Sequence, residues 1–283
     1  MPHTLKIALA ATLLGLSAPL LAGQQNRAKP TDVAAPALFY ADYADLTVAA
    51  PVIVDATVRS QLRLKPVDAP NLPPNIVRLY VEADVTALIR GTTAVPPRLG
   101  YTLDVPLDAR GRVPSYRKAR VLLFARGVSA NAGQVQLIRP DGQRSWTPAG
   151  DALTRRIVRE VLAPDAPPTI TGVGNAVHTA GDLPGSGQTQ IFLTTADSRP
   201  ISFDIERKPD QPPHWVVALS EVVDQSAPPP ARDTLLWYRL ACTLPAELPD
   251  TSVPQSGDDA TIAREDYALV VRELGACDRG GRG

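Results

Sequence analysis

Reactive side chains are scarce in this sequence. Among 283 residues there are three histidines, two cysteines and one methionine, and aromatic residues make up 5%. The two cysteines, Cys242 and Cys277, enclose about 35 residues, a spacing that fits neither a CxxC redox motif nor a structural zinc site. One histidine, His3, falls in a segment read below as a removed leader, so a triad or metal centre has only His178 and His214 to use. Charge of one sign is not in excess either. With 29 basic and 29 acidic residues the chain is neutral, which argues against a nucleic-acid or anionic-membrane partner. The most basic stretch, "RGRVPSYRKAR" from Arg110 to Arg120, carries turn residues and reads as a solvated loop. After Ala22 no apolar run approaches the roughly 20 residues of a membrane span, so no stable membrane insertion is expected downstream.

The N-terminus carries the clearest signal present. Lys6 precedes the apolar run "IALAATLLGLSAPLLA" from Ile7 to Ala22, broken by Pro19. A cationic start, a short hydrophobic stretch and a small-residue exit describe a cleavable secretory signal peptide over residues 1–23, the alternative being a buried N-terminal helix. The exit "LLAGQ" resembles the bacterial lipoprotein box, but Gln24 stands where the lipidated cysteine would be, so no lipid is attached. Residues 24–37, "QQNRAKPTDVAAPA", have no apolar period and read as a disordered leader. A periplasmic or secreted location follows. In an oxidising space the cysteine pair reads as a structural Cys242–Cys277 disulfide.

The chain is long enough for two domains, and its 29 prolines cluster between apolar runs, punctuating a folded protein. A brief helix in "LFYADYADLTVAA" leads into "PVIVDATV", with Val52, Val54, Ala56 and Val58 on one face. In "RLYVEADVTALI", Leu79, Val81, Ala83, Val85, Ala87 and Ile89 share one side and Tyr80, Glu82, Asp84 and Thr86 the other, the pattern of a half-buried antiparallel strand. "YTLDV", "ARVLLFAR" and "QVQLI" follow, separated by turn-rich loops. Five short strands in about 100 residues predict a small barrel or sandwich. The order "ADLTVAAPVIVDATV", "RLYVEADVTALIRG", "RKARVLLFA" over residues 38–140 resembles OB-like barrels of the netrin and metalloprotease-inhibitor type. Those inhibitors chelate the protease zinc through an N-terminal cysteine that this chain lacks, so the resemblance implies a fold and not inhibition. The chain as a whole resembles exported bacterial proteins with no assigned function.

The second half, residues 150–277, reads as helix plus antiparallel sheet. Asp151 is the expected N-cap of "ALTRRIVREVL", with Leu153, Ile157, Val158, Val161 and Leu162 as its apolar stripe. "TITGVGNAV" is expected to be extended, and "QTQIFLTT" and "PISFDIER" to pair as a hairpin. "HWVVALSEVV" is apolar on both faces and reads as a central strand. Two helices close the chain: "DTLLWYRLACTL", with Asp233 as its expected cap, and "DATIAREDYALVVREL", from Asp258 or Asp259 to Gly275. Residues 278–283 read as a disordered tail. The fold class is therefore α+β, a small OB-like barrel followed by a helix-plus-sheet domain.

Candidate chemistry is thin. The stretch "GDLPGSGQT" at 181–189 resembles the end of a phosphate-binding P-loop, yet Asp182 replaces the first glycine, Gln188 replaces the lysine, and a β-rich segment follows where a helix is required. It is expected to be a hairpin turn. "GVGNAVH" from Gly172 to His178 lacks the third glycine of a dinucleotide fingerprint. No GxSxG or HExxH motif occurs. His178 and His214 have Ser186, Ser220, Asp182 and Asp204 as the possible neighbours of a catalytic site. The carboxylate pairs Glu82/Asp84 and Asp204/Glu206 each point to one strand face, most simply solvent. Trp146, Trp215 and Trp237 read as core or interface anchors. No catalytic, cofactor-binding or metal residue is assigned, and no cofactor is implied. The expectation is an exported, non-enzymatic binding or accessory protein of the cell envelope, its partner an envelope protein or glycan. The alternative is a periplasmic hydrolase with a site near His178 and His214.

Overall fold

Five strands with period-two burial wrap into a closed barrel in the computed structural model, which describes residues 38–128, 131–219 and 226–280. The expected signal peptide and leader, Ser220 and the last three residues of the expected tail lie outside the described residues. The barrel strands are β1 (Val52–Arg63), β2 (Ile76–Arg90), β3 (Arg98–Pro106), β4 (Arg120–Val128) and β5 (Asn131–Leu137). Their order is β1-β2-β3-β5-β4, and β4 pairs back onto β1, so no open edge remains in the ring. All contacts are antiparallel except β3–β5, which is parallel and meets at Gly100 and Gln134. A Cβ at Gly100 would run into the Tyr80 hydroxyl and ring edge, so a side chain there would require Tyr80 to shift. Three register shifts along β1 bend it around the barrel. A short β6 (Gln143–Ser145) adds to β4 outside the ring, carrying this sheet past residue 140.

The barrel interior follows the alternation in sequence. Val54, Ala56 and Val58 of β1 join Leu79, Val81 and Ala83 of β2, with Leu99, Tyr101 and Leu103 of β3. On the opposite face of β1, Ile53 and Asp55 are also buried, which simple alternation with a polar outer face does not anticipate. Ile53, with Leu122 and Phe124 of β4, belongs to a second apolar cluster that packs beneath α1 (Tyr40–Ala49) and α2 (Pro148–Leu162). Tyr43 of α1 meets Phe124 edge-on at 6.4 Å. The Asp55 carboxylate, 2% exposed, accepts both arms of the Arg120 guanidinium, whose plane covers the Trp146 ring.

The remaining strands form an antiparallel meander: β7 (Ile170–Ala180), β8 (Gly187–Thr195), β9 (Ser202–Arg207), β10 (His214–Ala218) and the two-residue β11 (Ser226–Ala227). The hairpin of β8 and β9 is the expected one. β10 stands next to the edge of the sheet, not at its centre. Its apolar character on both faces reflects Trp215 and Val217 in the core and Val216 on the outer face. Helix α4 (Gly257–Leu274) packs on β7 and β8, and α3 (Leu235–Ala241) packs on α1, α2 and α4.

Two caps differ from expectation. Thr147, not Asp151, caps α2: its hydroxyl accepts from the Gly150 amide, and Pro148 at the first helical position needs no such partner. Asp151 instead holds Arg155 one turn on, at 2.9 Å. Thr234, not Asp233, caps α3, because Asp233 has a left-handed backbone, φ 60°, unsuited to a cap. At the other end of the chain, Gly275 at φ 72° ends α4.

From Ala37 onward the chain is one compact unit, and one apolar cluster draws on both halves, from Tyr40 and Phe124 to Phe203, Trp237 and Tyr267. Glu160 of α2 accepts from the Tyr40 hydroxyl at 2.6 Å and from the Leu235 amide at 3.0 Å, tying three helices together. Cys242 and Cys277 form a disulfide between the end of α3 and the segment after α4, a bond that fits an oxidising compartment. Among the described residues no helix is long and apolar enough to cross a membrane.

Candidate functional site: two clefts around the first hairpin of the meander

The motif "GDLPGSGQT" is the turn joining β7 to β8, as expected. Ala180 pairs with Gly187, the Gly181 amide donates to the Ser186 carbonyl at 2.9 Å, and Gly185 supplies the left-handed residue at φ 79°. Ser186 closes the loop by donating its hydroxyl to the Leu183 carbonyl at 2.7 Å and accepting from the Leu183 amide. The chain then continues as a strand, with no helix start to receive a phosphate. This turn forms one wall of two clefts, one on each side of the sheet.

Register decides which side each histidine occupies. His178, Thr189, Ile205 and Trp215 are paired neighbours in one row across four strands, and all four are buried beneath α4 and the core. His214 pairs with Glu206, which pairs with Gln188, in the row whose side chains point the other way. The two histidines are therefore on opposite faces of the sheet and do not share a site.

The outer cleft, about 750 Å³, lies on the solvent face. Asp204, Glu206, Gln188, His214 and Val216 line its floor, and the β7–β8 turn and Lys208 stand at its rim. Burial pushes the Asp204 carboxyl above the usual carboxylate range, with hydrogen bonding to Gln190 partly opposing it. Glu206 is exposed and paired with Lys208 at 2.9 Å. The pair Asp204/Glu206 thus sits on one face as expected, but in a concavity instead of on open surface. Glu82 and Asp84 stand on the barrel exterior, where Ser60 donates to Glu82 and Arg98 and Arg59 hold Asp84.

The inner cleft, about 430 Å³, lies between the β7–β8 turn and the first turn of α4. His178, 3% exposed, sits at its base. Its Nδ1 lies 2.8 Å from the Thr189 hydroxyl, which donates a short hydrogen bond to Asp266 of α4. Arg207 donates to the other carboxylate oxygen of Asp266 at 2.8 Å and reaches Glu265 at 3.2 Å. Burial pulls the guanidinium down, yet these bonds raise its pKa overall. The peptide group of His178 is clamped too: its amide donates to the Gln255 side-chain oxygen and its carbonyl accepts from the Gln255 nitrogen, both at 2.8 Å.

The chain of donors fixes the proton positions. Asp266 paired with Arg207 is an acceptor, so the Thr189 hydroxyl must donate to it. That hydroxyl then accepts from His178, which places a proton on Nδ1, so that in the neutral imidazole the lone pair is on Nε2. Of the expected neighbours of the histidines, Ser186 is engaged within its own turn, Asp182 is exposed on the wall of the inner cleft, and Asp204 lines the outer cleft with His214, on the opposite face from His178.

The members that the sequence reading missed, Thr189, Arg207, Gln255 and Asp266, join strands and loops distant along the chain. Asp266 did leave a trace: it occupies the apolar stripe Ala263, Tyr267, Val270 and Leu274 of α4, where a carboxylate needs a buried partner. Among the described residues no three His, Cys, Asp or Glu side chains are grouped to hold a metal ion. Neither the known protein-family models nor the curated proteins give a match to this chain.

Proposed function

We propose that this is an exported, non-enzymatic binding or accessory protein of the cell envelope, which takes its partner in the outer cleft of the meander sheet. The observation that carries the reading is that cleft: a wide concavity with a carboxylate held partly out of water at its floor and amide and imidazole groups around it. A concavity in which a few polar groups converge beside apolar surface is what binding sites present. The partner is an envelope protein or glycan, and no cofactor is required. On this reading residues 1–23 are a cleaved signal peptide and the protein is periplasmic or secreted. The ring of β1 to β5 is an OB-like barrel, supported by its β1-β2-β3-β5-β4 order and its parallel β3–β5 contact. The barrel half, residues 38–140, and the sheet half, residues 150–277, then serve as scaffold and recognition surface.

A second reading, a periplasmic hydrolase, is favoured by the Asp266–Thr189–His178 chain, which holds an imidazole in the tautomer of a general base. A photo-crosslinking residue placed at Gln188 in the outer cleft, and separately at exposed Thr102 on the barrel, separates the two in living envelopes. One adduct formed from position 188, absent from position 102 and lost with Asp204→Arg, supports binding. Identical adducts from both positions refute the cleft as the site. Hydrolysis of envelope peptides or glycans by the purified protein, abolished by His178→Ala, would replace binding with the hydrolase reading.

A further inference from the structure

We propose that the inner cleft is a second, separate binding site and that it takes an alkylammonium group. Three independent features of its walls converge on this chemistry. First, His178 is almost wholly buried, its Nδ1 is committed to Thr189, and its Nε2 meets no hydrogen-bonding partner among the described residues. That edge of the ring passes over Gly187, where a Cβ would stand 2.8 Å from Nε2, so the absence of a side chain there keeps the imidazole in place. In the neutral ring a ligand at the base of the cleft therefore meets the Nε2 lone pair, which calls for an N–H or O–H donor.

Second, the cleft is negative. Asp182, Asp258 and Asp259 line it, while the one cation in its wall, Arg207, is matched by Asp266 and Glu265. The start of α4 contributes about half a positive charge, too little to offset three carboxylates. The donor that the lone pair requires is thus selected to be cationic. Third, Leu183 and Ile262 form an apolar side to the cleft, and Leu183 is 62% exposed. Exposed leucine beside carboxylates suits a methylene chain carrying an ammonium head. A lysine side chain of a partner protein and a free aliphatic amine share this chemistry.

The test uses the mature full-length protein with its disulfide intact. Long-range ¹H–¹⁵N spectra of the histidine rings are recorded while n-butylammonium chloride is added, then in parallel acetyl-lysine-amide peptide and sodium acetate. A saturable shift of the His178 Nε2 resonance, with His214 unmoved and acetate without effect, is the expected result. Asp258→Asn/Asp259→Asn, at an exposed and a half-buried position of the first helical turn, is expected to weaken the amine at least about tenfold, because two nearby charges are lost. Glu206→Gln in the outer cleft is expected to change nothing, which keeps this site distinct from the proposed partner cleft. Tighter binding of the lysine peptide than of butylammonium identifies a protein partner, and equal binding a small amine. The proposal is overturned if butylammonium produces no saturable shift, if acetate binds instead, or if the double Asn variant binds the amine as well as the parent.

Discussion

Replacing Thr189 by Val tests the buried chain with almost no change of shape. The hydroxyl is fully buried between His178 and Asp266, and a methyl in its place opens no cavity. What is lost is one bond from the imidazole N–H, about 1 kcal/mol, and one to a charged carboxylate, about 1.5 to 3 kcal/mol. Added apolar burial returns a fraction of this, so the expected net loss is about 2 to 3 kcal/mol. For a unit of this size that lowers Tm by about 5 to 10 °C. Equilibrium urea unfolding should show a lower midpoint with an unchanged slope, since the surface exposed on unfolding is the same. The same variant removes the acceptor that holds the proton on Nδ1, so the ring nitrogens of His178 should change their ¹⁵N shifts toward a tautomer mixture. A loss below about 0.5 kcal/mol, together with unchanged imidazole shifts, would refute the assignment of Thr189 as the link that fixes the histidine.

Three further outcomes test other parts of the structure. Cys242→Ser/Cys277→Ser opens a loop with a sequence separation of 35, and the chain-entropy relation gives a cost of about 4 kcal/mol, readable as a lower urea midpoint of the double variant. The folded state holds the Asp204 carboxyl above its unfolded pKa, so its favourable contribution is present in acid and is lost as pH rises through the raised value. Asp204→Asn should therefore be more stable than the parent at about pH 7, and the gain should vanish at about pH 3, as measured by unfolding at both. Arg120→Ala leaves the Asp55 carboxylate buried without its counter-charge. It should lower the urea midpoint in the same assay, and by more than Asp55→Asn/Arg120→Met, in which no charge is stranded.

The elements were legible because burial on strands and helices repeats at fixed periods. The alternation in β2 gave its inward face from Leu79 to Ala83, and the apolar stripe of α2 gave Ile157 and Val158 as its buried side. The cysteine pair was legible because only one pairing exists. Two caps were misplaced by a few residues, since aspartate is a good cap by type while the local backbone chose Thr147 and Thr234. The P-loop resemblance could be dismissed from sequence, because chemistry at a phosphate needs specific residue types at fixed offsets.

The site was another matter. Sequence alone named His178 and His214 as the scarce imidazoles and Asp204 and Glu206 as neighbours on one face. It could not say that a sheet lies between the two histidines, because that depends on the register of four strands. Nor could it bring Asp266 to Thr189 across 77 residues, since a helix delivers a side chain wherever its packing angle places it. Periodicity along the chain, set by backbone geometry, determined which faces are apolar. Only tertiary packing decided what each face meets, and so which carboxylate stands behind which histidine.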